Sequence, residues 1–155
     1  LFNHLTLYQN IALGCHPGLK LTKDHCELIE EALKATQLNS LRSRKPADVS
    51  GGERQRAALA RCLCQKRPLL LLDEPFTGLD PRLRTEMHDL VDALRKNHGL
   101  TVIVVSHLPQ EVARIADTLA FMHNGKIQEH GPTDETLAKP ESSELKEYLR
   151  FTAAS

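Results

Sequence analysis

The side chains that could do chemistry fall into two clusters. Asp73 and Glu74 directly follow the apolar run Leu69 to Leu72, and Ser106 and His107 directly follow the apolar run Val102 to Val105. In an open α/β sheet, ligands bind beyond the carboxyl ends of the strands. If both runs are parallel strands, two acids and a histidine share one crevice. Each also has an ordinary account: Asp73 can cap a turn, and His107 can satisfy a loop carbonyl before Pro109. Together, at successive strand ends, they look like a site. The other cluster is Ser50-Gly51-Gly52-Glu53, placed before a helix that runs to about Gln65. Glycines at a helix start let the backbone approach a ligand closely, and the helix N-terminus offers free N–H groups and positive potential to an anion. Taken alone, Ser-Gly-Gly is also an ordinary capped turn.

The elements around these clusters follow from residue patterning. Unbroken aliphatic runs fit strands buried on both faces of a parallel sheet. Between them, Asp80-Pro81 supplies an N-cap followed by proline at the first helical position. Leu83, Met87, Leu90, Val91 and Leu94 then recur at helical spacing until Asn97-His98-Gly99. This is a strand–helix–strand unit with a right-handed crossover. Upstream the chain reads as helical. Thr6 caps a helix from Leu7 to Leu13, and His16-Pro17-Gly18 makes a turn. Thr22 caps a helix to about Thr36, with Ile29 and Leu33 on its apolar stripe. Asn39 to Pro46 is polar and basic, and is expected to be a solvated connection. Downstream, Asn124-Gly125 between Leu119–Met122 and Lys126–Gln128 signals a hairpin. Short helices over 134–138 and 143–150 close the chain.

Composition sets bounds. The 155 residues suit one domain, or one domain with a small lobe. Twenty Lys+Arg balance twenty Asp+Glu, which argues against a dedicated nucleic-acid binder. The apolar runs are too short to cross a bilayer, though the chain could dock on something that does. The four cysteines (Cys15, Cys26, Cys62, Cys64) suggest no disulfide framework. Cys62 and Cys64 fall on different faces of a helix and read as small apolar residues in a reducing cytosol. No zinc-ligand spacing occurs among the cysteines and histidines. The chain opens at Leu1 without a leader and reads as cut out of a longer protein.

The order and spacing of the clusters carry a resemblance. Val49-Ser50-Gly51-Gly52-Glu53-Arg54-Gln55-Arg56 resembles the signature motif of ATP-binding cassette (ABC) ATPases. Leu69-Leu70-Leu71-Leu72-Asp73-Glu74-Pro75 looks like their Walker B strand, and Thr77-Gly78-Leu79-Asp80 like their D-loop. His107 matches the switch histidine. The likeness covers nearly the whole chain. It implies an α/β fold, a partial P-loop NTPase of ABC type. A helical subdomain over 1–66 would end in the signature helix. The C-terminal part of the mostly parallel sheet would follow over 67–155. Val49 stands where leucine is usual, and Glu53 where glutamine is usual. No Gly-x-x-x-x-Gly-Lys-Ser/Thr phosphate loop (Walker A) occurs; Gly125-Lys126 is followed by Ile127. Leu1 to Thr6 resembles the stretch just after the family's Q-loop. The chain therefore looks like the later part of a nucleotide-binding subunit.

The resemblance also implies roles. ATP and Mg²⁺ would lie between two ATP-binding subunits paired head to tail. Ser50, Gly51, Gly52 and Glu53 would serve nucleotide bound to the partner. Asp73 would support Mg²⁺, Glu74 would be the general base, His107 would contact the γ-phosphate, and Asp80 would couple the two sites. A transmembrane permease, and indirectly a solute-binding protein, would complete an importer on the cytoplasmic side of the bacterial inner membrane. No nucleic acid is implied. Asn10 to Gly14, Pro17 to Leu21 and Ala60 to Leu63 are most similar to the ATP-binding subunits of thiamine importers. Phe2, Leu5, Leu7 and Tyr8 are candidates to meet the permease, or else simply pack the lobe. A competing reading is a truncated, catalytically inert regulatory or interaction module derived from such an ATPase. ABC proteins that act on DNA or ribosomes need coiled-coil insertions or basic segments, and neither is present. A serine hydrolase built on Ser106-His107 lacks Gly-x-Ser-x-Gly.

Overall fold

Each of the first three helices starts where a hydroxyl side chain marks its start. In the computed structural model, which describes residues 1–153, these are α1 (Leu7–Ala12), α2 (Lys23–Ala35) and α3 (Gly51–Leu63). Thr6, Thr22 and Ser50 cap them, each in a reciprocal capping box with the third helical residue. Leu7, Ile11, Ile29, Leu33, Leu38, Ala57 and Ala60 form the core between them. Gly14 permits the close approach of α1 to α3: a Cβ there would lie 2.1 Å from the Arg61 carbonyl oxygen. Burial pushes the Cys64 thiol in this seam up to about 12, which keeps it protonated and unreactive.

The connection from α2 to α3 is more than solvated chain. It contains short 3₁₀ turns at Asn39–Leu41 and Pro46–Asp48. The carbonyls of Arg44 and Arg42 accept from Leu7 N and Tyr8 N at 2.8 and 2.9 Å. These carbonyls satisfy donors that the first turn of α1 cannot pair internally. Arg42 also pairs with Glu30 and lies over the Tyr8 ring, 4.8 Å from its centroid. Buried Asn10 fixes the opening segment: its Oδ1 accepts from Phe2 N at 2.7 Å, and its Nδ2 donates to the carbonyls of Phe2, Leu5 and Thr6. Leu7 packs the core, whereas Phe2 is 52% exposed.

The chain then forms β1 (Leu69–Asp73), α4 (Pro81–His98) and β2 (Thr101–Val105). The two strands are neighbours in a short parallel sheet. Asp80 caps α4, and Gly99 ends it. The expected burial on both strand faces is not what is found. Leu70 is buried, but Leu71 is 66% and Ile103 51% exposed. Along both strands exposed positions alternate with more buried ones, so one set of apolar side chains in each run stays open to solvent.

The chain divides into two compact units, Leu1–Ile103 and Val104–Ser155. The second contains α5 (Pro109–Ile115), the antiparallel hairpin of β3 (Thr118–His123) and β4 (Lys126–Pro132), α6 (Thr133–Ala138) and α7 (Ser143–Ala153). Asn124 and Gly125 turn the hairpin with positive φ, as their types require. Glu129 on β4 holds the start of α7, accepting from Glu141 N, Ser142 N and Ser142 Oγ. Among the described residues, no helix is long and apolar enough to cross a membrane.

Candidate functional site

The start of α3 is a self-contained cap. Ser50 Oγ accepts from Glu53 N at 3.3 Å. The Glu53 carboxylate accepts from Ser50 N at 2.7 Å and from Ser50 Oγ at 2.9 Å. The Ser50 backbone N–H, above all, holds the Glu53 carboxyl below the usual range. Gly51 and Gly52 occupy the first two helical positions. A Cβ on Gly51 would meet only Arg54 Nη2, at 3.9 Å, and one on Gly52 would meet Leu79 Cδ2 at 3.4 Å and Leu83 Cδ1 at 3.8 Å. Those are ordinary contacts. Glycine inside a helix costs up to about 1 kcal/mol against alanine, and no neighbouring group crowds Gly51. Gly51 is exposed, and the space over it is open to something from outside, whereas Gly52 is buried beside Leu79 and Leu83.

The loop after β1 is built differently. Asp73 ends the strand and is exposed. Glu74 follows at φ 47°, the left-handed region that a non-glycine residue enters at a cost. Thr77 holds it there: its Oγ1 donates to Glu74 Oε2 at 3.0 Å, and its N–H reaches the Glu74 carbonyl at 3.3 Å. Phe76 anchors the loop. It is fully buried and meets the His88 ring of α4 edge to face, with centroids 4.0 Å apart. Gly78 turns the chain at φ 76°. Asp80 Oδ1 then accepts from Arg82 N and Leu83 N, both at 3.0 Å.

The two parts meet within the first unit. Gln55 Nε2 of α3 donates to the Thr77 carbonyl at 3.4 Å, and Gly52 lies against Leu79. The unit thus brings the Ser50–Glu53 helix start to the loop that carries Glu74 and Asp80, with Asp73 at its origin. His107 belongs to the second unit. It is exposed, and its carbonyl accepts from Tyr148 Oη. Beside it, Ser106 Oγ donates to Glu111 and accepts from Leu108 N at 3.1 Å.

Sequence reading passed over Thr77, Gln55 and Tyr148 as functional candidates. Thr77 stands three residues after Glu74, a spacing that would have suggested a turn-stabilising hydroxyl. The Gln55 and Tyr148 contacts link residues 22 and 41 positions apart, and no local pattern announces them. Among the described residues, no group of three or more His, Cys, Asp or Glu could hold a metal ion. An exposed carboxylate at a strand end still suits Mg²⁺, which takes one or two protein carboxylates and completes its shell with phosphate and water.

Comparison with known proteins agrees with this architecture. The ABC transporter family pattern matches residues 1–77. The chain is 48% identical over 151 residues to the thiamine import ATP-binding protein ThiQ of Photobacterium profundum, covering 97% of this chain and 63% of that protein. It is 51% identical over 133 residues to ThiQ of Yersinia pestis, covering 86% and 56%. Among solved structures, a metal-chelate type ABC transporter in an inward-facing conformation superposes with a TM-score of 0.83 at 25% identity, covering 97% of this chain and 59% of that one. A component of the cbiONQ ABC transporter complex of Clostridium perfringens gives 0.81 at 30% identity, covering 90% and 55%. The chain spans less than two thirds of the length of these relatives.

Proposed function

This chain belongs to the ABC transporter family, and on that premise we propose that it carries the signature and hydrolytic parts of an importer's ATP-binding subunit. In this reading Ser50, Gly51 and Gly52 bind the γ-phosphate of ATP held mainly by a second subunit. Backbone amides at the start of α3 supply the stabilisation, and Glu53 sets the geometry of that start. Glu74 takes a proton from water as the water oxygen bonds to the γ-phosphorus and the bond to the bridging oxygen breaks. Thr77 holds the carboxylate for that transfer. Mg²⁺, when bound, neutralises phosphate charge, and Asp73 would hold it. His107 contacts the γ-phosphate, and Asp80 couples the paired sites.

The family's phosphate loop has no counterpart in these 155 residues, so we propose that the chain by itself is inactive. The solute we propose is thiamine, on the names of the relatives from Photobacterium and Yersinia. Partners would be a second such subunit and a membrane-spanning permease, with the chain peripheral to the membrane through the permease. The helical lobe, residues 1–66, would receive the permease, with exposed Phe2 as its candidate contact.

One observation carries the reading: Gly51 opens α3 on an exposed surface, where a Cβ would meet only the end of the Arg54 side chain. Gly51→Ala tests it. The variant should raise helix stability by up to about 1 kcal/mol, while ATP hydrolysis by the assembly containing the chain falls sharply. Hydrolysis at the parent rate would show that nothing enters the space over Gly51.

A further inference from the structure

We propose that Tyr148 is a positioning residue for His107, tying helix α7 to the loop between β2 and α5; the inference rests on the role given above to His107. The loop is short, from Ser106 to Leu108, and it is tethered on both sides of His107. Before it, Ser106 Oγ accepts from Leu108 N at 3.1 Å and donates to the buried Glu111. After the His107 Cα, its own carbonyl takes the Tyr148 hydroxyl. The first tether closes a small turn around His107, and the second fixes the direction of its carbonyl. Together they set the Cα–Cβ vector from which the imidazole hangs.

The tyrosine is a firm post. Its ring rests on Phe121 of β3, with centroids 5.5 Å apart. One turn earlier on α7, Leu145 is buried. At the helix start, Glu129 of β4 accepts three hydrogen bonds from Glu141 and Ser142. The helix is therefore held without the Tyr148 hydroxyl, and that hydroxyl is spent on the loop. An exposed carbonyl could be solvated by water instead, so its use here is orientation. Misplacing a reacting or contacting group by about 1 Å is enough to slow an enzyme.

The test compares Tyr148→Phe with His107→Ala in the ATPase assembly containing the chain, with kcat, KM for ATP and thermal midpoint measured for each. Tyr148→Phe keeps the ring on Phe121 and removes only the donor. It should lower kcat by about three- to tenfold while KM and the thermal midpoint stay at parent values. In the isotope-labelled chain, the carbonyl ¹³C resonance of His107 should move upfield. Phe121→Leu keeps the hydroxyl but loosens its post, and should lower kcat by a smaller factor. If His107→Ala abolishes hydrolysis while Tyr148→Phe and Phe121→Leu leave kcat at the parent value, the positioning role is overturned and His107 keeps its own. If His107→Ala hydrolyses ATP normally, the role of His107 fails and takes this inference with it. A Tyr148→Phe variant that loses kcat only in proportion to a fallen thermal midpoint marks a purely structural tyrosine, and also overturns the proposal.

Discussion

The three-helix lobe and the strands of the short sheet are finished to different degrees. The lobe closes on itself. Its caps are reciprocal, its one fully buried asparagine makes four hydrogen bonds, and Leu7, Ile11, Ile29, Leu33 and Leu38 are buried in its core. On the strands, Leu71, Ile103 and Val105 stay exposed. The loop after β1 has a strained conformation at Glu74, whose carboxylate accepts from Thr77. Packing is closed where the candidate anion site opens α3, and the backbone is under tension where the candidate base Glu74 sits. Strain that persists because the surroundings over-determine it is a common property of functional loops.

The largest expected effect breaks the sheet-end loop chemically while sparing its shape. Glu74→Gln keeps the side-chain length and can still accept from Thr77, but the amide cannot take a proton from water. In the assembly containing the chain, hydrolysis should fall by about 10² to 10⁴, with ATP affinity retained or raised because a charge facing the γ-phosphate is gone. Asp73→Asn should instead weaken nucleotide affinity together with the rate. Phosphate release and nucleotide affinity, measured for both variants, separate the roles. A Glu74→Gln rate within a few-fold of the parent would remove Glu74 as the base, and the strain at φ 47° would then be structural.

The next effect sharpens the contrast in packing. Leu33 is fully buried in the lobe, and Leu71 is 66% exposed on the sheet. Leu33→Ala should cost about 2–5 kcal/mol, and Leu71→Ala should stay within about 0.5 kcal/mol. Urea unfolding of the 155-residue chain reads both. Equal costs would mean that the exposed sheet face is covered in solution, for instance by self-association, which a dilution series would detect.

What was legible in the residues follows the same division. Caps are local, so Thr6, Thr22 and Asp80 announced three helix starts within a residue of where they lie, whereas Gly51, Gly52 and Glu53, expected to stand before their helix, form its first turn with Ser50 as the cap. The Asn124-Gly125 turn was legible for the same reason. Helix α5 was not, because Leu108 makes no side-chain cap and Pro109 at its first position was the sole cue. The runs Leu69–Leu72 and Val102–Val105 announced strands but not how many faces the chain would cover, since an aliphatic run records the need for burial and not its source. The lobe's long-range devices were silent as well. Asn10 reads as an ordinary polar helix residue, and only the fold shows that its amide is the latch for Phe2 and Leu5.

The smallest effect concerns Glu53, where the lobe's own capping meets the proposed anion site. Its carboxyl is held below the usual range by the Ser50 backbone N–H first and the Ser50 hydroxyl second. A carboxyl whose value is lowered on folding adds stability that is fully present above its unfolded value and is lost as pH falls through the folded one. Glu53→Gln keeps an acceptor for the capping box but removes a charge from the positive end of α3. At neutral pH it should therefore cost about 0.3–1 kcal/mol, less at high salt. That difference should shrink as the pH drops below about 4.5, the ordinary carboxylate value, because the parent then loses the same charge. Urea midpoints of parent and variant across pH 3 to 7 would check it. The variant also frees Ser50 N and Oγ from a charged competitor for any incoming phosphate, so KM for ATP in the assembly should fall or hold. A stability difference that does not shrink at all on acidification, or a raised KM, would mean that the Glu53 charge does something other than cap the helix.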